Sequence, residues 1–349
     1  MSGLWIGLVD GFVVTIREVA KKAGVSIATV SRVLNGSERV SPQAKLAVES
    51  AISELNYQKP PEKRKTPTKL FAIIVRNMSN PFFSQLVDVL EEEAYKHGRS
   101  LLLFNSRNHL QLEKTFLSEC INHKVDGVFL VPRSLKEEHL ASLNGLPFPV
   151  VLLTATAPET VCIGTHHKHG GELAARHFVE QGYQRMGYIG SSDTQSDRLL
   201  GYRHTLAQLG RALDDARLLA PYTHETLNQF VDEQIVHHPL PIEAVFCSDD
   251  ISASHLHNLL REKQWLEKVD IIGFDDTYIA QSLGFSSIKQ PIRKIALLGF
   301  DMMIEAIHQQ RLEPRRVLLE PKLIVRHQPS FETMSRKPEI LRSNKPSTL

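Results

Sequence analysis

Seven short runs of apolar residues recur along most of the chain, and each is continuously apolar rather than alternating with polar positions. A strand with this pattern is buried on both faces, as happens when helices cover both sides of a parallel sheet. Each of the first six runs is followed by a segment long enough for a helix or a connecting loop. The runs are residues 70–75, 100–104, 127–131, 149–153, 186–190, 244–248 and 269–274.

Seven such strands exceed one comfortable sheet, and 349 residues are enough for two to three domains with substantial cores. We therefore predict two doubly wound α/β lobes, each built on a parallel sheet. In open sheets of this kind a ligand binds at the carboxyl ends of the strands, so a small molecule is expected between the two lobes.

Ahead of these runs, residues 15–34 predict two short helices joined by a tight turn. Thr15 and Glu18 have the spacing of a capping box, which begins a helix, and Gly24 provides the left-handed backbone position that ends it. On the second helix, apolar side chains repeat at helical spacing along one face. A third helix is predicted over residues 41–57. Three short helices in this order form an all-α helix-turn-helix headpiece.

The polar face of the second helix is small and rich in hydrogen-bond donors, which suits the major groove of DNA. Arg32 is the predicted base-reading residue, because a guanidinium forms two hydrogen bonds to guanine O6 and N7. Ile27 and Ala28, at the start of the helix, are expected to contact bases. For Ile27, a place in the core is an equal alternative. Phosphate contacts are predicted for Thr15, Ser26, Thr29, Ser31 and Asn35.

Positive charge is concentrated in this part of the chain. Residues 15–69 contain eleven Lys or Arg and five Glu, a net charge of +6, whereas the whole chain carries only +2. This distribution is what phosphate neutralisation requires. Within it, the Pro-rich linker 58–69 supplies Lys59, Lys63 and Arg64 as further candidate phosphate contacts.

The headpiece sequence resembles that of the lactose-repressor (LacI/GalR) family of bacterial transcriptional regulators. The resemblance is carried by TIREVAKKAGVSIATVSRVLN and ELNY, and it continues through NPFFSQLVDVLEEEAYKHG, VDGVFLVP, HFVEQGYQRMGYIG and VDIIGFDD to about residue 327. It implies a core similar to periplasmic sugar-binding proteins, in which an effector between the lobes alters the affinity of a dimer for operator DNA. It also implies that Ile27 and Ala28 choose among operators and that Arg32 makes a base contact shared by the family. A repressor of carbohydrate-use genes is the function that the resemblance favours.

Candidate effector-binding residues follow the ends of predicted strands. By the resemblance, Arg198 and Asp275 occupy ligand-binding positions, and a carboxylate suits paired sugar hydroxyls. Asn80, Phe82 and Phe83 follow the first strand, where the aromatic pair is either a stacking face for a sugar or base or ordinary core packing. The candidates that align more loosely are Tyr222, Ser248 and Gln290. For these three, a surface or packing role is an equal alternative. A sugar is favoured as effector, with a purine or a phosphorylated metabolite as the alternative.

The chain departs from the family pattern at two places. The linker 58–69 has consecutive prolines and no leucine where the family has a hinge helix that wedges a leucine into the minor groove. We therefore expect weaker operator bending and stronger salt dependence. His166 and His167 stand where the family usually has Asp-Asn, which indicates an unusual effector.

An enzyme is the alternative class of protein. The carboxylates at 249, 250, 275 and 276 and the histidines of residues 166–169 are candidate metal or acid–base groups, but neither set has a recognised spacing. The chain also has no glycine-rich phosphate motif after a strand and no nucleophile elbow. We predict no catalytic residue, no metal and no cofactor. The alternative function is a sugar-binding protein or enzyme whose headpiece no longer binds DNA.

Oligomeric state and location follow from simpler arguments. One headpiece covers only a half-site, so a homodimer on a near-palindromic operator is expected. The three cysteines are far apart and form no zinc or disulfide pattern, which is typical of a cytoplasmic protein. Residues 1–14 are apolar, but they lack a basic start and are too short to span a bilayer, so no membrane association is predicted. They are either a disordered extension or the product of a translation start placed upstream of the natural one.

The predicted domains are an extension at 1–14, the headpiece at 15–57, the linker at 58–69, a core at 70–331 and a polar tail at 332–349. Within the core, lobe 1 is expected at about 70–157 and 289–317, and lobe 2 at about 158–288 and 318–331. The tail has no leucine heptad, so a tetramerising coiled coil is not expected.

Overall fold

The computed structural model describes residues 15–34, 40–55, 57, 67–190, 196–309 and 314–326. The chain divides into two compact units, Met1–Lys65 and Thr66–Leu349, so the division falls inside the predicted linker. The extension at 1–14, linker residues 58–66 and the tail at 332–349 lie outside the described residues.

The described part of the first unit consists of α1 (Ile16–Ala23), α2 (Ile27–Leu34) and α3 (Pro42–Glu54). The local signals act as predicted: the Thr15 backbone N–H donates to Glu18 Oε2 at 2.5 Å, and Gly24 ends α1 with φ 66°. Ser41 Oγ accepts the Ala44 N–H at the start of α3. The three helices bury a small core of Val19, Ala20, Val30, Val48, Ala51 and Tyr57.

The second unit contains two sheets, and all seven predicted strands form. In chain order the strands are β1 (Leu70–Val75), β2 (Ser100–Asn105), β3 (Gly127–Leu130), β4 (Val150–Leu153), β5 (Val161–Thr165), β6 (Met186–Ile189), β7 (Leu218–Leu219), β8 (Ala244–Cys247), β9 (Asp270–Asp275), β10 (Ser286–Lys289), β11 (Arg315–Leu319) and β12 (Lys322–Ile324).

Helices separate most of these strands. In chain order they are α4 (Pro81–Lys96), α5 (Leu110–Asn122), α6 (Glu137–Asn144), α7 (His167–Glu180), α8 (Asp197–Gln208), α9 (His224–Val231), α10 (Asp250–Glu262), α11 (Tyr278–Leu283) and α12 (Ile292–Gln309).

Each lobe is built on one six-stranded sheet. The order is β11-β5-β4-β3-β1-β2 in lobe 1 and β12-β10-β9-β8-β6-β7 in lobe 2. All pairings are parallel except that of β10 with β12. The strand order reverses between β1 and β3 and again between β6 and β8, and ligands of doubly wound sheets bind at such switch points. The predicted fold class is confirmed.

Six of the seven predicted strands are buried on both faces, as their continuous apolar character predicted. The exception is β2, an edge strand that stays partly exposed, with Leu103 44% accessible. Phe71, Ile73 and Val75 of β1 pack in one core with α4 and α12, whereas Ala72 and Ile74 enter a second core with α5. Because successive side chains of a strand point to opposite faces, a run without polar positions requires a helical layer on each side.

The lobe boundaries differ from those expected. Lobe 2 was predicted to begin at 158, but β5 (161–165) pairs with β4 and β11 and belongs to lobe 1. The third boundary, expected at about 317, lies after Leu319, the end of β11. The chain therefore crosses between lobes at 165–167, 289–292 and 319–322. The cause is that β5 was not predicted as a strand, since its Gly and Thr interrupt the apolar pattern.

Candidate functional site

Helix α2 of the first unit exposes three of the residues predicted to reach DNA bases. Ile27, Ala28 and Arg32 are all exposed, and Ala28 and Arg32 lie one helical turn apart. Ile27 keeps 45% of its surface accessible and is absent from the described headpiece core, so the core alternative for this residue is wrong. Ala28 and Arg32 share one face of the helix, Ile27 is exposed next to Ala28, and such a surface can face bases.

The predicted phosphate contacts lie around the start of the same helix. Ser26 Oγ accepts the Thr29 N–H at 3.1 Å and lies 2.9 Å from Thr29 Oγ1. Thr15 is exposed and bonded to Glu18, while Thr29 and Ser31 are half-buried. The candidates outside the described residues are Asn35, Lys59, Lys63 and Arg64.

In the second unit, Asp275 joins elements of both lobes. It ends β9, is 3% exposed and has φ 111°, a conformation that non-glycine residues adopt only under constraint. Its Oδ2 accepts a hydrogen bond from Asn80 Nδ2 of lobe 1 at 3.2 Å, and its Oδ1 accepts one from Gln290 Nε2 at 2.6 Å. Burial raises the pKa of Asp275 to about 6, although the Arg198 charge lowers it.

Asn80 is oriented by the helix that it caps. Its Oδ1 accepts the Phe82 N–H at 2.9 Å, at the start of α4, so its amide nitrogen can turn toward Asp275. The Asn80 side chain thus caps α4 in lobe 1 and also donates a hydrogen bond to Asp275 in lobe 2.

Arg198, in the first turn of α8, lies between Asp275 and the end of β8. Its Cζ is 3.8 Å from the centre of the Phe274 ring, and its Nη2 is 3.9 Å from Asp275 Oδ1. Its Nη1 donates to the Ser248 carbonyl oxygen. Ser248 Oγ instead donates to Asp249 Oδ2 at 2.9 Å, so Ser248 serves Arg198 through its backbone.

Two glycines fix the position of Arg198 by allowing α7 and α8 to touch through their backbones. A Cβ on Gly171 would lie 2.0 Å from the Arg198 carbonyl oxygen, and one on Gly201 would lie 2.0 Å from the Lys168 carbonyl oxygen. No side chain fits at either crossing point. The first turns of both helices are therefore held against each other.

His167 is a neutral partner of Arg198. Its Nδ1 lies 3.4 Å from Arg198 Nε, and its Nε2 lies 3.4 Å from the Thr154 carbonyl oxygen. Burial, reinforced by the Arg198 charge, lowers the pKa of His167 to about 3. The ring therefore accepts from the guanidinium and donates to the carbonyl.

Asp250 supports the loop that carries Asp275. Its Oδ2 accepts the Thr277 N–H at 2.6 Å, and its Oδ1 accepts the Ser287 hydroxyl at 2.6 Å. Burial and the nearby Asp275 charge raise the pKa of Asp250 to about 7. These bonds tie the end of β9 to β10 and α10, so Asp250 acts as a scaffold for the cleft.

Two sequence models of known families match the chain. Residues 15–60 match the bacterial regulatory proteins of the lacI family, and residues 68–326 match the periplasmic binding proteins and sugar binding domain of the LacI family. The chain belongs to the LacI family. The resemblance drawn from the sequence is thereby confirmed.

This chain is 29% identical over 332 residues to the HTH-type transcriptional regulator GalR of Escherichia coli (strain K12). The match covers 92% of this chain and 97% of GalR. The chain is 26% identical to the HTH-type transcriptional repressor PurR of Photobacterium profundum, covering 89% and 97% respectively. The solved structure of the transcriptional regulator CelR–cellobiose complex has a TM-score of 0.64 and 25% identity, with 90% of this chain and 99% of that chain covered. These relatives are transcriptional regulators and not enzymes.

No helix among the described residues is long and apolar enough to cross a membrane.

The structure joins some of the predicted effector residues of this LacI-family chain and separates others. Asn80, Asp275 and Gln290 form one hydrogen-bonded group. Arg198 lies beside it, with its Nη2 3.9 Å from Asp275 Oδ1, and donates to the Ser248 carbonyl. Tyr222 instead pairs with His255, with 2.9 Å between Tyr222 Oη and His255 Nδ1.

The aromatic pair after β1 does not form an open stacking face. Phe82 and Phe83 are both buried in the lobe 1 core, with their ring centres 5.2 Å apart and nearly perpendicular. Both point inward because they occupy the first turn of α4, which packs on the sheet through its apolar face. Of the two alternatives for this pair, core packing is correct.

Sequence reasoning missed Arg76, the residue directly after β1. Its Cζ lies 5.7 Å from the centre of the Phe83 ring, and the charges of Arg198 and Asp275 both act on it. The signal was available, because Arg76 follows the same strand as Asn80 and a charged residue at that edge of a parallel sheet is a ligand-binding candidate.

Proposed function

We propose that this chain is a ligand-responsive transcriptional repressor. It binds a near-palindromic operator as a homodimer, and a small sugar-like effector in the interlobe cleft controls its affinity for DNA. The genes that it controls are those of carbohydrate use, in line with the family to which it belongs.

The exposed surface of α2 supports the DNA-binding part of this proposal. Ile27, Ala28 and Arg32 are exposed together on a helix whose opposite face is anchored in the headpiece core by Val30. A core that holds the helix rigidly allows the exposed side chains to be presented in a fixed register to the major groove. Arg32 is the base-reading residue, and Ile27 and Ala28 discriminate among operators.

The group around Asp275 supports the effector part, and it is the single observation on which the proposal depends most. Both lobes contribute to this group. Lobe 1 supplies Asn80, and lobe 2 supplies Asp275 and Arg198. Gln290 lies where the chain crosses between the lobes. A ligand that inserts its hydroxyls between Asn80 and Asp275 would replace their 3.2 Å hydrogen bond and change the relation of the two lobes. The effector can control the affinity for DNA only if it favours one arrangement of the two lobes over another.

A mobility-shift experiment tests the proposal. The purified full-length protein is titrated on its own upstream DNA with and without a panel of sugars, in parallel with Arg32→Ala and Arg176→Ala. Arg176 is an exposed arginine on α7, so its variant is the matched control. Because each headpiece of the homodimer loses one bidentate base interaction of ~1–3 kcal/mol, Arg32→Ala is expected to weaken specific binding by ~2–6 kcal/mol, which is at least about 30-fold, and to leave non-specific binding unchanged. Arg176→Ala is expected to bind as the wild type does.

The same experiment separates this proposal from a sugar-binding protein or enzyme with an inactive headpiece, which the altered linker favours. In that case no specific shift occurs at low salt and Arg32→Ala has no effect. Release of the shifted complex by one sugar would identify the effector. A purine or phosphorylated ligand that releases the complex instead would keep the regulator and correct the effector class.

A further inference from the structure

Two arginines stand at the switch point of lobe 1. Arg76 directly follows β1, and Arg133 lies three residues beyond the end of β3. Since β1 and β3 are the strands between which the sheet order reverses, both arginines lie at the sheet edge where a ligand enters the cleft.

Arg76 is held in place by an aromatic ring rather than by an acid. Its Cζ lies 5.7 Å from the centre of the Phe83 ring, and its Nε is buried without a hydrogen-bond partner among the described residues. Burial and the positive charges of Arg198 and Arg133 lower the pKa of Arg76, against the weaker effects of Asp275 and Glu113. Arg76 as a whole is half-buried, with its Nε enclosed. A partly desolvated guanidinium that is repelled by its neighbours is stabilised when an anion binds it.

The nearby carboxylates already have other partners. Glu113 Oε2 accepts the backbone N–H of Arg133 at 2.7 Å, and its Oε1 lies 2.6 Å from His139 Nε2. Asp275 accepts from Asn80 and Gln290, as described above. Within the described ranges, Arg76 has no carboxylate within ion-pair distance, so positive charge is left over on the lobe 1 side of the cleft.

We propose that Arg76 binds an anionic substituent, a phosphate or a carboxylate, on an effector whose hydroxyl groups are bound by Asp275. The effector is thus a sugar phosphate or a sugar acid rather than a neutral sugar. Arg133 adds attraction from the same edge, and Arg198 adds it from lobe 2. This proposal rests on the proposed function, because it names the ligand class of the same cleft.

The first test uses inorganic phosphate as the probe and does not require the effector to be known. Thermal unfolding of the full-length wild type, Arg76→Gln and Arg176→Gln is measured in phosphate and in chloride at equal ionic strength. Phosphate is expected to raise the Tm of the wild type and Arg176→Gln but not of Arg76→Gln. Arg76→Lys retains a charge at the same place and is expected to recover part of the effect, which also guards against misfolding of the glutamine variant.

The second test compares charged and neutral ligands by calorimetry. Hexoses and pentoses, their terminal phosphates and their aldonic acids are titrated into the same variants. The anionic member of one set is expected to bind about 10- to 100-fold more tightly than its neutral parent, and Arg76→Gln is expected to remove that difference. The phosphate and acid arms distinguish the two anion types.

The proposal is wrong if phosphate stabilises no variant or all variants equally, or if a neutral sugar binds as tightly as its charged relatives. Neither result affects the proposed function, whose test is operator binding and the release of the operator by a ligand. Conversely, failure to bind operator would leave the calorimetric preference for anions measurable, so the two failures are distinguishable.

Discussion

The close approach of α7 and α8 makes Gly201→Ala the most informative single substitution in this protein. The added Cβ would lie 2.0 Å from the Lys168 carbonyl oxygen, 2.8 Å from its carbonyl carbon and 3.1 Å from its Cα, all of which are backbone atoms of α7. A flexible side chain could turn aside, but a helix backbone cannot. The two helices would therefore have to separate by roughly 1.5 Å to restore ordinary contact distances of about 3.5 Å.

Two effects of opposite sign determine how much Gly201→Ala changes the free energy of unfolding. Alanine in place of glycine in a helix interior stabilises by about 1 kcal/mol. Overpacking a tight contact costs about 1–3 kcal/mol, and the upper part of that range applies because only backbone can move. We expect a net destabilisation of about 1–2 kcal/mol, which corresponds to a fall in Tm of roughly 2–8 °C for a unit of this size.

The substitution should also weaken effector binding. Arg198 lies one helical turn before Gly201, and its interactions with Phe274, Ser248 and Asp275 depend on where that turn sits. Losing one charged hydrogen bond costs about 1.5–3 kcal/mol, so a tenfold or larger loss of affinity is expected. Calorimetric unfolding measures the first effect, and titration with the sugar that releases the operator measures the second.

Gly145→Ala is the matched control. Gly145 follows α6 with φ −85°, and an added Cβ would meet nothing nearer than 3.9 Å, so its stability is expected to change by less than about 0.5 kcal/mol. The reasoning fails if Gly201→Ala melts at or above the wild-type temperature and binds the effector equally well. That outcome would mean that α7 and α8 do not touch through their backbones.

Three further predictions address the cleft, the headpiece and the linker. Burial raises the pKa of Asp275 to about 6, and the protonated carboxyl group has less capacity to accept hydrogen bonds. The affinity for a neutral sugar should therefore fall as the pH drops through 6. In calorimetry from pH 5 to 8, Asp275→Asn should bind the sugar weakly and without this pH dependence. Val30→Ala truncates a fully buried side chain of the headpiece and should destabilise the first unit by about 1–3 kcal/mol. The first unit should then melt at a lower temperature while the melting of the second unit is unchanged. A single unaltered transition would contradict this. Replacing Lys59, Lys63 and Arg64 by Gln should lower the salt slope of operator binding by about 0.9 for each phosphate that is no longer neutralised, and an unchanged slope would show that the linker does not follow the DNA.

The candidate site was predictable where a short motif carries it. Arg198 and Asp275 were identified through the family resemblance of the short motifs that contain them, and the structure brings their side chains within 3.9 Å of each other. The sequence could not decide between alternatives that depend on burial. Ile27 proved to be exposed and Phe82 buried, because each outcome depends on which face of the helix packs against the rest of its unit.

Local signals in the sequence were sufficient to predict the three capped helices of the headpiece, seven strands of the core and the family to which the chain belongs. These follow from periodicity and caps, which act over one or two turns of chain. The folded arrangement was needed to show that β5 belongs to lobe 1, that Asn80 reaches Asp275 across 195 positions, and that Arg76 is left without an acid. These features depend on pairing, burial and charge among residues distant in sequence, and no local pattern records such interactions.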